Sequence, residues 1–274
     1  MTSELRAMTL SEPAFWRRLN PHLSIGHTSE PMPIRVDLAP QLVRFLADGY
    51  LASRPTLPPA VCWPLALAVR RICAAGLPAA FAMVYDQFWS LLIGAAEGLA
   101  PLLGPSPRLL PDFWIRCVEP GSEPATPSRG EAEYATTSFR EDGRPTALMI
   151  SLPLTDAGAG DPSCIYVLPA GSDPFRPGRV DRPPPGRGWR APRSSPARQP
   201  RISVAACVQS SDVEPLDRFE IGPRFETRLA AIGRAILRHR DASAGLETGV
   251  SSTLLAACRR WWTTCDATAC PAGV

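Results

Sequence analysis

The sequence predicts an α+β fold in which helices come first, a β core of sandwich or jelly-roll type follows, and helices return at the end. Three observations predict it. Apolar residues recur at helical spacing through the first hundred residues. From Phe113 onward, short apolar runs are separated by glycine, proline and aspartate, with no helical stretch between them. Helical spacing resumes after residue 222.

The elements follow in order. Val36 to Ala52 places Leu38, Leu42, Phe45 and Leu46 on one helical face. Pro64 suits a first helical turn ahead of Leu65, Leu67, Val69 and Ile72, with Gly76 as the stop. Phe81 to Leu99 continues the pattern through Val84, Phe88, Leu91 and Leu92. Residues 76–104 are the most apolar stretch, but Asp86, Gln87 and Glu97 interrupt it, so it reads as a buried helix pair and not a membrane span. Gly104 to Pro111 ends the helical part. Strands are expected at Phe113–Val118, Ala147–Leu154, Cys164–Leu168 and Ile202–Val208. Helices are expected at Arg224–Arg240, with Leu229, Ile232 and Ile236 on one face, and from Thr253 to about Trp262. The organisation expected is one domain over residues 1–274: a helical part at 1–104, a β core at 112–210 carrying a proline- and arginine-rich loop at 174–200, and C-terminal helices at 222–264.

Composition narrows the chemistry. With 45% hydrophobic and 20% charged residues over 274 positions, the chain has the makings of a sizeable core and is not of a disordered class. All 29 basic residues are arginine, which excludes a lysine Schiff base, a pyridoxal-phosphate anchor and a phosphate-loop lysine. The three histidines are His22, His27 and His239, so a histidine-based triad or zinc site would have to be assembled from the two ends. The net charge of +3 is uneven: Arg176 to Arg201 holds eight arginines against Asp181. Seven prolines and a solitary Trp189 in that stretch favour a solvated loop over a single-strand nucleic-acid groove. Eight cysteines without a CxxC pair sit mostly in apolar runs, the pattern of buried free thiols. The N-terminal residues MTSELRAMTLSEP have no apolar signal core, so a reducing cytoplasm is the expected location and no membrane partner is expected.

Several segments carry a resemblance. Asp142-Gly143-Arg144-Pro145 is followed by a strand ending Leu152-Pro153-Leu154-Thr155-Asp156-Ala157 and by Cys164-Ile165-Tyr166-Val167-Leu168-Pro169-Ala170. Tyr85-Asp86-Gln87-Phe88-Trp89 lies upstream; Pro200-Arg201-Ile202-Ser203 and Phe225-Glu226-Thr227-Arg228-Leu229-Ala230 lie downstream. In this order, over residues 12–240, the chain resembles the phytanoyl-CoA dioxygenase-like family of iron(II)/2-oxoglutarate oxygenases. The resemblance implies a double-stranded β-helix (jelly-roll) core flanked by helices.

It also implies an iron triad of two histidines and a carboxylate, which this chain does not carry. The family's His-x-Asp pair falls on Arg129-Gly130-Glu131 or on Glu131-Ala132-Glu133, and its distal histidine on Gly186-Arg187-Gly188-Trp189. The arginine that grips 2-oxoglutarate falls on Arg201, with Arg198 the competing position. Glutamates without imidazoles make a hard oxygen site suited to Mg²⁺ or Mn²⁺ and not to iron(II). No metal or cofactor is therefore expected; iron and 2-oxoglutarate return only if the ligands are misplaced or come from His22 or His27. The function expected is a metal-independent, non-oxidative enzyme (cyclisation, isomerisation or elimination) acting on a small molecule of specialised metabolism, with Glu131, Glu133 and Tyr134 as acid–base groups and Arg201 or Arg198 as the anion anchor. The alternatives are a catalytically dead pseudoenzyme that binds a ligand or an active paralogue, and an oxygenase with atypical ligands. A homo-oligomer is compatible with either reading. The Tyr85–Trp89, Asp142–Pro145 and Pro200–Ser203 segments are expected to border the pocket, and Trp261-Trp262 beside Arg259-Arg260 is the one candidate partner surface, though its residues read better as the end of an amphipathic helix capping the core.

Overall fold

The computed structural model describes residues 9–26, 30–34, 45, 50–51, 57–119, 140, 144–155, 200–214, 224–242 and 252–269. Within them the chain is a mixed helix and strand structure. Helices α1 (Pro13–Leu19) and α2 (Pro59–Ala74), a 3₁₀ helix (Ala79–Val84), α3 (Asp86–Gly98) and α4 (Ala100–Leu103) lead into strand β1 (Arg108–Val118). Strands β2 (Ala147–Pro153) and β3 (Arg201–Gln209) follow, then helices α5 (Phe225–Ala242) and α6 (Ser252–Ala269). The strands form an antiparallel sheet in the order β1-β3-β2, with Arg116 opposite Ser203 and Pro153 opposite Ser203 on the other side. The coarse reading of helices, strands, then helices holds. The strand expected at Cys164–Leu168 lies outside the described residues, as does most of the helix expected at Val36–Ala52.

Alternation makes the sheet two-faced. Phe113, Ile115, Ile202, Val204 and Ala206 point to one side and are buried there, joined by the half-buried Cys117, Ile150 and Leu152, in the same apolar cluster as Trp16, Phe81, Phe88, Leu229 and Ile232. Trp114, Arg116, Arg201, Ser203, Ser151 and Pro153 point to the other side. Pro111, read from sequence as part of a break, lies within β1, at the irregularity between Leu109 and Phe113 where the strand register shifts. A bulge is where a residue lacking an N–H costs a sheet least.

Two helix boundaries differ from expectation. Helix α2 begins at Pro59, so Pro64 is inside the helix and not at its start; the Pro58-Pro59 pair supplies the extended N-cap and the first-turn proline instead. The expected helix at Phe81–Leu99 is two pieces, because Tyr85 adopts extended backbone (φ −89°, ψ 140°) between the 3₁₀ helix and α3. Close backbone crossings fix the helices around this core. A Cβ at Gly94 of α3 would overlap the Met32 carbonyl oxygen, and one at Gly233 of α5 would lie 2.8 Å from the Cys258 carbonyl oxygen of α6. Glycine at both positions permits backbone contact that any side chain would block.

The segment Tyr85–Trp89 joins the parts. The Tyr85 hydroxyl donates to the Trp16 carbonyl at 2.8 Å and accepts from Nδ2 of Asn20, the chain's one asparagine, at 3.0 Å. Asp86 pairs with the Arg228 guanidinium of α5 and also accepts the Gly26 N–H at 3.1 Å. Gln87 accepts from the Ser24 N–H at 3.2 Å and donates to its hydroxyl at 3.0 Å. Trp89 donates its indole N–H to the Met83 carbonyl and meets Phe113 edge to face, with ring centroids 5.5 Å apart. Four of these five residues therefore tie the N-terminal segment, the 3₁₀ helix, the sheet and α5 together, and the fifth, Phe88, is buried in the core.

Asp86 and Arg228 are 4% and 1% exposed, so both charges depend on the pair. Arg228→Met or Asp86→Leu alone is expected to cost about 3–5 kcal/mol in urea unfolding, because each strands a buried charge. The double variant is expected to be less destabilised than the sum by about 2–3 kcal/mol, and strict additivity would show that the pair is not coupled. Burial pushes the Tyr85 hydroxyl up to about 12 from 10.0, with the Asn20 hydrogen bond and Arg71 opposing the rise. The folded protein therefore holds a proton that the unfolded chain releases, so this contribution is intact below pH 10 and lost as pH rises through about 12. Tyr85→Phe removes the titration, and the stability gap between wild type and variant is expected to narrow by about 1 kcal/mol between pH 9 and 11.

Candidate functional site

The outward face of the sheet carries a charged cleft with a predicted site residue, Arg201, in its lining. It is lined by Arg116 and Val118 of β1, Pro153 and Thr155 at the end of β2, and Arg201, Ile202 and Ser203 at the start of β3. The register places Arg116 across from Ser203 and Val118 across from Arg201. The two arginines are thus diagonal neighbours on one face, with backbones about 7–8 Å apart and side chains long enough to reach a common ligand. The cleft has a volume of about 40 Å³. At roughly 10–15 Å³ per water this is room for about three waters, the size of a carboxylate head and not of a whole organic substrate.

Local structure holds the rim. The Leu154 N–H donates to the Ile202 carbonyl at 2.8 Å, extending the β2–β3 ladder past Pro153. The Ile202 N–H then donates to the Thr155 hydroxyl oxygen at 3.0 Å, which leaves that hydroxyl's own proton available to a ligand. Arg116 is half-buried, and burial alone holds its guanidinium below its ordinary value; no carboxylate among the described residues pairs with it. A half-enclosed cation beside a second arginine and two hydroxyls, Thr155 and Ser203, favours a small anion.

A second polar cluster closes the opposite end of the sheet. Arg140 donates to Asp212 at 3.1 Å, to the Leu103 carbonyl at 3.3 Å and to the Ser210 hydroxyl, while Ser211 donates to the Pro105 carbonyl at 2.7 Å. These bonds join the turn entering β1 to the turn leaving β3. Their cation and anion are matched, so the cluster is a latch. Cys207 faces Asp112, and burial together with that carboxylate pushes its thiol up to about 12, which keeps it protonated and unreactive.

Of the residues picked out from the sequence, Arg201 lies in the cleft, while Glu131, Glu133, Tyr134 and Arg198 lie outside the described residues. Of the segments expected to border a pocket, Pro200–Ser203 contributes three lining residues, whereas Tyr85–Trp89 is engaged in the packing bonds described above. Of Asp142–Pro145, Asp142 and Gly143 lie outside the described residues, and Arg144 and Pro145 are not among those lining the cleft. Arg116 was legible only as one residue of a strand. Its alternation with Ile115 and Cys117 signals the outward face, but nothing in the sequence states that β1 pairs with β3 and brings it beside Arg201. Trp261 and Trp262 lie midway along α6, which runs on past the expected end near Trp262: Trp261 meets Phe81 edge to face at 6.1 Å and donates to the Ser11 hydroxyl, and Arg234 stacks over Trp262 at 4.8 Å.

The His22 ring lies 3.3 Å from the Pro64 carbonyl, on the outside of α2. No group of three or more His, Cys, Asp or Glu side chains comes together as a metal-ligand set among the described residues. Nor is any helix among them long and apolar enough to cross a membrane. No family model, curated protein or solved structure matches the chain.

Proposed function

We propose that this chain recognises a small carboxylate-bearing molecule through Arg116 and Arg201, and that it is a non-oxidative enzyme built on a diverged phytanoyl-CoA dioxygenase-like scaffold. The observation that carries the reading is the convergence of two arginines, one half-buried and without a carboxylate partner among the described residues, on a cleft of carboxylate size. The double-stranded β-helix belongs to the same proposal: an antiparallel sheet with its central strand last in sequence is compatible with a jelly roll. The iron(II) site of such oxygenases does not fit the residues present, since no histidine occurs between residues 28 and 238 and His22 is turned to the Pro64 carbonyl.

In this reading the guanidinium groups fix and partly neutralise the substrate carboxylate, with Thr155 and Ser203 donating to its remaining lone pairs. Glu131, Glu133 and Tyr134 supply the proton transfers of a cyclisation, isomerisation or elimination. The cleft lining itself holds donors but no base, which favours a second reading: a binding protein descended from an enzyme, with no turnover of its own.

Titration with a panel of small mono- and dicarboxylates, 2-oxoglutarate included, tests recognition. Arg116→Gln and Arg201→Gln are each expected to weaken binding of the best ligand about 10- to 100-fold, the worth of one charge-assisted contact. Unchanged affinity in the double variant overturns the anion site. With a turned-over ligand in hand, Glu131→Gln or Glu133→Gln is expected to lower kcat about 100-fold or more. Unchanged rates in both variants, or binding without turnover, leave the binding-protein reading in place.

A further inference from the structure

The three strands contribute unequally to the anion cleft. β1 lends it Arg116 and Val118, and β3 lends it Arg201, Ile202 and Ser203. From β2 and the bend after it come Pro153 and Thr155, so the polar side chain on that side of the lining is Thr155. β1 and β3 are already joined, with Arg116 paired to Ser203 and Val118 to Arg201. A ligand gripped by Arg116 and Arg201 therefore spans two strands that hold each other in place, and its polar contact to the third is through Thr155.

Thr155 also serves the backbone. The Leu154 N–H donates to the Ile202 carbonyl at 2.8 Å, and in a regular antiparallel pair the second residue returns its own N–H to the first. Here Ile202 gives its N–H to the Thr155 hydroxyl oxygen at 3.0 Å, so a side chain beyond the end of β2 completes the exchange. The hydroxyl then accepts on one side and has its proton to give on the other. When a carboxylate oxygen takes that proton, the Ile202 N–H, the Thr155 O–H and the carboxylate form a chain in which each bond polarises the next in the same sense.

We propose that Thr155 is the positioning residue through which an anion in the cleft closes the end of β2 onto β3. The proposal rests on the reading of Arg116 and Arg201 as an anion site and deepens it by naming how occupancy is passed to the sheet. In the free protein the Ile202 bond opens whenever the end of the ladder frays; with a ligand bound, the same opening must also break the contact between Thr155 and the anion. The coupling is reciprocal. The factor by which the Thr155 contact tightens binding is the factor by which the bound anion suppresses opening at Ile202. It requires an acceptor atom opposite the hydroxyl, which a carboxylate supplies and an ammonium group does not.

The test is amide hydrogen exchange, followed residue by residue by NMR on the full-length protein, alone and saturated with whichever of acetate, succinate and 2-oxoglutarate binds most tightly. The Ile202 amide is expected to slow about 10-fold on binding relative to Leu154, which bonds to backbone in the same pair and shares its shielding. Thr155→Val is expected to weaken binding by about the same 10-fold and to abolish the ligand dependence at Ile202, while Thr155→Ser, which keeps the hydroxyl, preserves both. Two results overturn the proposal and leave the anion site standing: binding that needs Arg116 and Arg201 but does not change exchange at Ile202 relative to Leu154, and full ligand protection of Ile202 in Thr155→Val. Failure of every probe to bind, or binding that is indifferent to the Arg116→Gln, Arg201→Gln double variant, overturns the anion site and the proposal together. Since exchange is measured on the wild-type chain, it decides the matter even if the valine variant fails to fold.

Discussion

The ion pair between Asp86 and Arg228 is the constraint around which the described structure is arranged. Asp86 opens α3, where an acid is favoured by the helix dipole, and Arg228 sits in the first turns of α5. Neither charge has water to fall back on, so each is held by more than the other: Arg228 also donates to the Val84 carbonyl at 3.0 Å and lies 6.0 Å from the centre of the Trp89 ring. Burial lowers the guanidinium from its usual value while Asp86 acts to raise it, so the charge survives in the interior because its partner is there. A pair of this kind adds little net stability over a well-packed apolar substitute, but it penalises every arrangement in which α5 docks elsewhere. Its contribution is to choose one docking of the C-terminal helices on the helical half.

That arrangement also shows which parts of the molecule local sequence can express. The three observed strands were legible because alternation in Phe113–Val118, Ala147–Leu154 and Ile202–Val208 is a property of neighbours two apart, and the same holds for the single apolar face of α5. The beginning of α2 was misread because a proline near a helix start and a proline tolerated inside a helix look alike locally, and only the packing of Leu65, Val69 and Ile72 settles the difference. The break at Tyr85 was hidden for a similar reason. Its neighbours are good helix residues, and what draws its backbone out of the helix is a hydroxyl committed to Trp16 and Asn20, more than sixty residues away.

The site was legible in one residue of its two cations. Arg201 stood out through a resemblance in the residues around it, whereas Arg116 acquires meaning only through the β1–β3 register, a relation between segments more than eighty positions apart. The register also decides which side of the sheet each neighbouring residue faces. Arg116 and Cys117 are successive residues of β1 and so face opposite sides of the sheet, the arginine toward the charged cleft and the cysteine toward the apolar core. Backbone adjustment at either residue is felt by the other across a single peptide unit, since neighbouring peptide planes share the dihedrals between them.

The strand order has a consequence for how the molecule is made. The ribosome delivers β1 first and β2 second, yet neither pairs with the other: both hydrogen-bond to β3, which emerges last and enters between them. Asp86 waits longer still, since its cation is 142 residues downstream. At cellular elongation rates that interval is on the order of ten seconds. Throughout it, the nascent chain carries two unpaired strand edges and an acid that cannot yet be buried, so its assembly is concentrated at the end of synthesis, and this is the period in which a holdase chaperone has most to protect.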